Sequence, residues 1–244
     1  MKLQVAWNFK KSRTELQVTL QRGELLDLTA AEMARGVRGG LLLPVDFDRM
    51  LVQSKKLVLR YDITGLTPLK KRLRHLWTYG SYYTMLQGIE RVLVDCAAWP
   101  QPVERTLFDL EHIYMDEQDE PHFIYVPVAG AVYDTTKNSP RLVLEALSDV
   151  RHLRFDAAES VAVATELHQY VVANEVFSLN HYRRFLDAQF AAQRGLVAAP
   201  ASAASEPQAD EHLEALFASF DRNLHGCRPS GRGAQNEPPK QVWR

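Results

Sequence analysis

The sequence predicts an α+β fold, with a β-rich part over about 1–130, a helical part over about 131–195, and a tail over 196–244 of disordered composition. Three observations predict it. Residues 2–8 (KLQVAWN) and 14–20 (TELQVTL) alternate apolar and polar side chains, as half-buried strands do. Leu107 to Val128 (LFDLEHIYMDEQDEPHFIYVPV) places two apolar runs around an acidic, turn-rich centre, Asp116-Glu117-Gln118-Asp119-Glu120-Pro121. Beyond residue 140 the apolar spacing is helical. Strands and helices first, helices only afterwards, is the order of an α+β domain and not of an alternating parallel α/β sheet.

The elements follow in chain order. Phe9 to Arg13 suits the loop of an opening hairpin. Thr29, with Glu32 three residues on, predicts a capping box and a short helix ending at Gly36. Gly39-Gly40 is a turn, and Leu41 to Val45 an extended apolar segment. Lys56 to Ile63 reads as a strand with Leu57, Leu59 and Tyr61 on one face, broken by Gly65. Thr67 as N-cap and Pro68 at the first helical position predict a helix over 68–77. Ser81 starts a second over 82–97, where Met85, Ile89, Val92, Leu93 and Cys96 recur at helical spacing, and Trp99-Pro100 closes it. The 107–128 stretch predicts a hairpin packed on the core with a solvated acidic tip. Helices are expected over 140–153, 157–173 (Val161, Ala164, Thr165, Leu167 and His168 recurring) and 179–193, the last capped by Ser178 and stopped at Gly195. From about 197 an Ala/Pro/Ser-rich linker leads to an amphipathic island near 211–224 (Leu213, Leu216, Phe217, Phe220, Leu224).

Composition narrows the class. The 244 residues are 46% hydrophobic and 24% charged, enough for one large domain or two small ones. Lys+Arg 29 against Asp+Glu 30 leaves a net charge of -1, so no global field argues for nucleic acid or for cations. The 2 cysteines, Cys96 and Cys227, lie in different kinds of segment, which argues against a disulfide framework or a cysteine zinc site and for a reducing, cytoplasmic setting. The N-terminus lacks the apolar core of a signal peptide, and no stretch approaches the roughly 20 apolar residues that span a bilayer.

Candidate chemistry is sparse. His112, His122, His152, His168 and His181 show no helical pair around a Glu, so they read as structural and no metal site is expected. The acidic turn lacks the spaced ligands and central Gly of a calcium loop. No Gly-x-Ser-x-Gly elbow or nucleophile–base set is present in the sequence. The basic run Lys70, Lys71, Arg72, Arg74, His75 suits phosphate, anionic lipid or an acidic protein, or else the solvent face of a helix with Leu69, Leu73, Leu76 and Trp77 inward. The Leu213–Leu224 stripe, on a flexible tether, suits a helix that docks in a groove.

Two stretches carry a resemblance. Leu26 to Leu69 (LDLTAAEMARGVRGGLLLPVDFDRMLVQSKKLVLRYDITGLTPL) resembles an uncharacterised bacterial domain family found N-terminal to forkhead-associated domains. The marks are Glu32-Met33, a Gly-Leu-Leu run and a Tyr-Asp-Ile-Thr strand end. The second stretch, LEHIYMDEQDEPHFIYVPV, fits the same family and is similar to the kinase-like cytoplasmic domain of the EssB/YukC family, a non-catalytic part of type VII secretion. The resemblance implies a degenerate protein-kinase-like fold. A kinase catalytic loop needs an Asp base, a metal-binding Asn and a metal-binding Asp. Setting Glu111-His112-Ile113 against that loop puts His112 at the Asn, Leu107 at the catalytic Asp and Tyr125 at the metal Asp. No GxGxxG loop precedes a Lys-bearing strand, and no forkhead-associated domain is recognisable in this sequence.

The expectation is therefore a pseudokinase-like protein-binding module in bacterial signalling or secretion-apparatus assembly, with no catalytic, cofactor or metal residues. Its contact elements are Lys70, Lys71, Arg72 and Arg74 on the basic helix, and Leu213, Leu216, Phe217 and Phe220 on the island. The alternatives are a nucleotide-binding protein or enzyme with relocated residues, and nucleic-acid binding through the basic helix.

Overall fold

The hairpin predicted by alternation opens the chain. In the computed structural model, which describes residues 2–20, 24–36, 40–48, 57–98, 105–129 and 138–193, β1 (Lys2–Asn8) and β2 (Arg13–Thr19) pair antiparallel, with Leu3 opposite Val18 and Val5 opposite Leu16. After β3 (Leu25–Leu26) and α1 (Leu28–Gly36), β4 (Val45–Asp46) and β5 (Val58–Asp62) complete an antiparallel sheet of order β1-β2-β5-β4. Leu57, Leu59 and Tyr61 are buried on one face, as their period of two requires. Gly65, at φ +77, turns the chain where a side chain would be strained.

The caps differ from those expected. α1 is capped by Asp27, not Thr29: Asp27 Oδ1 accepts the Ala30 N–H at 3.0 Å, while Oδ2 accepts from Arg105 at 2.8 Å. A carboxylate there also complements the positive end of the helix. Thr67 caps nothing. Thr67–Pro68 form β6, paired with β8 (Tyr114–Met115), and the first free N–H groups of α2 (Leu69–Arg72) are taken by the carbonyls of Ile113 and Leu110 at 2.7 and 2.8 Å. The helix expected over 68–77 is thus one turn. Leu76–Trp77 instead form β7, with Trp77 buried and Leu76 exposed rather than inward.

α3 (Tyr79–Ala98) begins before Ser81, because Thr78 is its cap. Thr78 Oγ1 accepts the Ser81 N–H and Ser81 Oγ accepts the Thr78 N–H, both at 3.1 Å. Met85, Ile89, Val92, Leu93 and Cys96 all face the core. Burial pushes the Cys96 thiol up to about 11, and Sγ lies 3.3 Å from Thr106 Oγ1.

The 107–128 stretch does turn back on itself. β8 pairs antiparallel with β9 (Pro121–His122), and β10 (Val128–Ala129) pairs with β3. Its tip is seated, not merely solvated. Asp116 Oδ1 accepts the N–H groups of Gln118 and Glu120, Asp119 pairs with Arg72, and Glu120 pairs with Arg91 of α3. Pro121 is buried against Gly88, where an added Cβ would stand 2.1 Å from the proline Cγ. The glycine lets hairpin and helix meet.

The second half is not purely helical. α4 (Pro140–Ser148), capped by Ser139 with proline at its first turn, ends well before residue 153. β11 (Arg154–Phe155) follows and pairs parallel with β7, stitching the two halves together. α5 (Ala158–Ala173) buries Ser160, Val163, Ala164, Leu167 and Val171, so Val161, Thr165 and His168 of the expected stripe face outward. α6 (Leu179–Gln193) is capped by Ser178 as predicted.

One hydrophobic cluster runs from Leu16 to Leu186 through both halves. Buried tyrosines cross-link it: Tyr61 donates to the Tyr125 carbonyl at 2.7 Å, and Tyr182 donates to that of Leu86 at 2.9 Å. Each satisfies a polar group that would otherwise be costly to bury. No helix among the described residues is long and apolar enough to cross a membrane. The expected turn at Gly39, the closure at Trp99-Pro100, the half-boundary near 130, the stop at Gly195, Cys227, the linker and the island with Leu213, Leu216, Phe217 and Phe220 lie outside the described residues.

Candidate functional site

The sheet does not bury its inner face evenly. One row across it consists of Val5, Leu16, Tyr61 and Val45, one residue from each strand. Leu16, Tyr61 and Val45 are 1%, 0% and 2% exposed, whereas Val5 is 57% exposed. Trp7, two residues on and therefore on the same face, is 51% exposed. The apolar face thus runs past the core at the edge strand. Isolated exposed hydrophobics need no explanation, but two adjacent ones continuing a core face mark a patch.

A groove of about 380 Å³ lies beside that patch. Val5, Pro68 and Tyr114 give its apolar surfaces, Lys71 and Arg74 of the basic segment give its rim positive charge that is unpaired among the described residues, and Lys70, Glu111 and His112 complete the lining. The residues singled out there differ in role. Lys70 pairs with Glu111. Arg72 is largely structural: its guanidinium grips Asp119 through two bonds of 2.6 and 3.0 Å, donates to the Leu76 carbonyl, and lies 4.1 Å over the Trp77 ring. Lys71 and Arg74 are exposed and, among the described residues, have no ion-pair partner. Sequence spacing exposed this basic run. It gave no sign that half of it is paired, because the acids lie about forty residues away in the hairpin.

The positions matched to a kinase loop are separated in character. Leu107 and Tyr125 are buried, with the Leu107 N–H bonded to the Ile124 carbonyl at 2.8 Å. Burial pushes the Tyr125 phenol up to about 12 despite the neighbouring Arg105. His112 lies in a turn, its Nδ1 2.9 Å from Asp109. That contact, against some desolvation, holds the Asp109 carboxyl below the usual carboxylate range. Asp109 is a site residue that apolar spacing does not reveal. Its signal was available as Asp-x-x-His, a common turn pairing. His122 and His152 likewise sit beside Asp116 and Asp149. No group of three or more His, Cys, Asp or Glu among the described residues is placed to hold a metal ion.

A wider groove of about 660 Å³ lies between α4 and α5, with Ser148 Oγ 3.5 Å from His168 Nδ1. The serine donates to the Glu145 carbonyl at 2.9 Å, so the hydroxyl proton closes a helix end instead of facing a base. Asp149, which could orient such a histidine, is engaged by Arg151 and His152.

Compared with known proteins, the chain matches no family model and no curated protein.

Proposed function

We propose that the protein is a non-catalytic interaction module on a degenerate kinase-like scaffold, taking an apolar, acid-flanked protein segment into the groove between β1 and α2. The observation that carries this reading is exposed Val5 in the groove beside Lys71 and Arg74, with Trp7 exposed two residues further along the same strand face. Apolar floor and unpaired cations together select a segment with hydrophobic anchors and carboxylates, since each surface alone is common but the pair discriminates. The resemblance drawn from the sequence places such a module in bacterial signalling or secretion-apparatus assembly, without cofactor or metal. Binding of fluorescent amphipathic peptides tests it: acidic ones are retained by the chain and lost in the Lys71→Glu/Arg74→Glu variant, while neutral and basic ones are not retained. Equal retention of all three sinks the reading.

A second reading, a nucleotide-binding protein or enzyme with relocated residues, draws on one observation: Lys70 and Glu111 border both this groove, with His112, and a second one, with Asp109, and Asp109 bonds His112. A marked thermal stabilisation by ATP and Mg²⁺, removed by Asp109→Asn, favours it. Nucleic-acid binding is the weakest reading, because Arg72 is committed to Asp119 and Trp77. It requires an affinity that falls steeply with salt.

A further inference from the structure

We infer that the groove is occupied in the resting protein by the chain's own segment Asp210–Leu224. This rests on the groove being a docking surface, as proposed above, and goes beyond it by naming an internal occupant that any partner must displace.

Three observations converge. The first is chemical fit. At helical spacing Leu213, Leu216, Phe217, Phe220 and Leu224 share one stripe, and Asp210, Glu214 and Asp221 all fall on one flank of it. The opposite flank carries His212, Ser219 and Asn223 instead. An apolar stripe with a single acidic edge is the complement of an apolar floor with a basic rim. Val5 and Trp7 meet the stripe, and Lys71 and Arg74 meet the carboxylates. Phe217 and Phe220 are the largest anchors, and the two sheet residues left uncovered include a tryptophan, so the contact is dominated by aromatic burial.

The second is reach. The 16 residues between Gln193 and Asp210 extend to at most about 55 Å, while a domain of this size has a radius of gyration of about 16 Å. A tether of that reach can fold the segment back onto the domain. An Ala/Pro/Ser-rich tether of this length gives an effective concentration in the millimolar range, so a contact with a dissociation constant of about 100 μM is already about 90% formed. A weak helix suffices in cis that would be marginal in trans.

The third is the state of the rim. Lys70 and Arg72, the flanking cations, are matched to Glu111 and Asp119 within the described fold, and Lys71 and Arg74 are not. Both unmatched cations lie on the groove side, next to the uncovered strand.

Hydroxyl-radical footprinting of the full chain reads this directly through Trp7, with buried Trp77 as the folding reference. In Phe217→Ser/Phe220→Ser, Trp7 labelling rises roughly five- to tenfold if docking is about 90% populated, while Trp77 stays protected. Lys71→Glu/Arg74→Glu raises it likewise, and combining that change with Asp210→Lys/Glu214→Lys/Asp221→Lys restores protection. Unchanged Trp7 labelling in the phenylalanine variant overturns the inference. So does protection that grows with protein concentration alongside a doubled mass in light scattering, which makes a second copy the occupant. Failure here is separable from failure of the module reading. Acidic peptides binding a chain whose Trp7 ignores the tail would sink only the self-docking. A tail-protected Trp7 with no peptide uptake by the opened Phe217→Ser/Phe220→Ser chain would sink only partner capture.

Discussion

The tripeptide Leu-Gln-Val occurs in both arms of the opening hairpin, at Leu3-Gln4-Val5 and Leu16-Gln17-Val18, and the two copies differ in burial: Leu3 is half-buried against the core, and Val5 is left out. In β2 the leucine and valine are sealed. In the neighbouring strand the valine stands mostly in solvent. The copies share alternation, sheet and face. They differ in what lies above them. Over β2 and β5 lies the 105–128 ribbon, joined to the sheet by the Tyr61 hydroxyl and to α1 by Arg105. Over β1 the described cover reaches Leu3, which packs against the core, and leaves Val5 exposed. Strand pattern therefore encodes a face, and the position of a remote ribbon decides whether that face is core or docking surface.

The sharpest way to break this comparison is to truncate both copies. Leu16→Ala is expected to cost about 3–5 kcal/mol in chemical denaturation, as a buried leucine leaving a cavity, whereas Val5→Ala changes stability by less than about 0.5 kcal/mol. Comparable losses at the two sites would show that Val5 is packed as tightly as Leu16. Next in size is Gly88→Ala, which drives a Cβ into Pro121 and lifts the ribbon from α3. It should cost about 1–3 kcal/mol, with a matching drop in Tm, and a neutral result would mean that the ribbon's seat on α3 is soft.

Arg72→Met removes the fork to Asp119 and the contact with Trp77 but keeps the stem. A loss of about 1–2 kcal/mol is expected, only partly recovered in Arg72→Lys, because lysine cannot grip both carboxylate oxygens. Full recovery by lysine would reduce Arg72 to a point charge.

Acid should loosen the same cover. The Arg105 guanidinium and the Ala30 N–H hold the Asp27 carboxyl below its ordinary value of 3.8. Asp46 is lowered by Lys11. A carboxyl whose folded pKa is depressed stabilises the native state above the unfolded pKa and loses that contribution as pH falls through the folded one. Stability should accordingly decline below about pH 4, and less steeply in Asp27→Asn, measured by denaturant midpoint against pH. Identical profiles would remove Asp27 from the account. The smallest expected change is in Lys71→Glu/Arg74→Glu made in the undocked Phe217→Ser/Phe220→Ser chain, whose stability should stay within about 0.5 kcal/mol of that parent because neither cation is paired among the described residues.

Much of the fold was legible locally. The hairpin, the buried face of β5, the core stripe of α3 and the Ser178 cap all follow from spacing within a dozen residues. The misread starts share a cause. Thr29 and Thr67 are good caps by composition, yet Asp27 and the carbonyls of Ile113 and Leu110 did the capping, the latter from a hairpin forty residues on. The basic run was visible, and its division into paired and unpaired cations was not, for the same reason.

By itself the sequence determined which residues alternate, which recur at helical spacing and where charge concentrates, since backbone geometry and side-chain type are properties of neighbours along the chain. Only the tertiary structure decided that Val5 and Trp7 stand exposed at the sheet edge, that the acidic tip is clamped by Arg72 and Arg91, and that Lys71 and Arg74 find no ion-pair partner among the described residues. Burial and ion pairing depend on what the fold brings across from elsewhere, and that is not a local quantity.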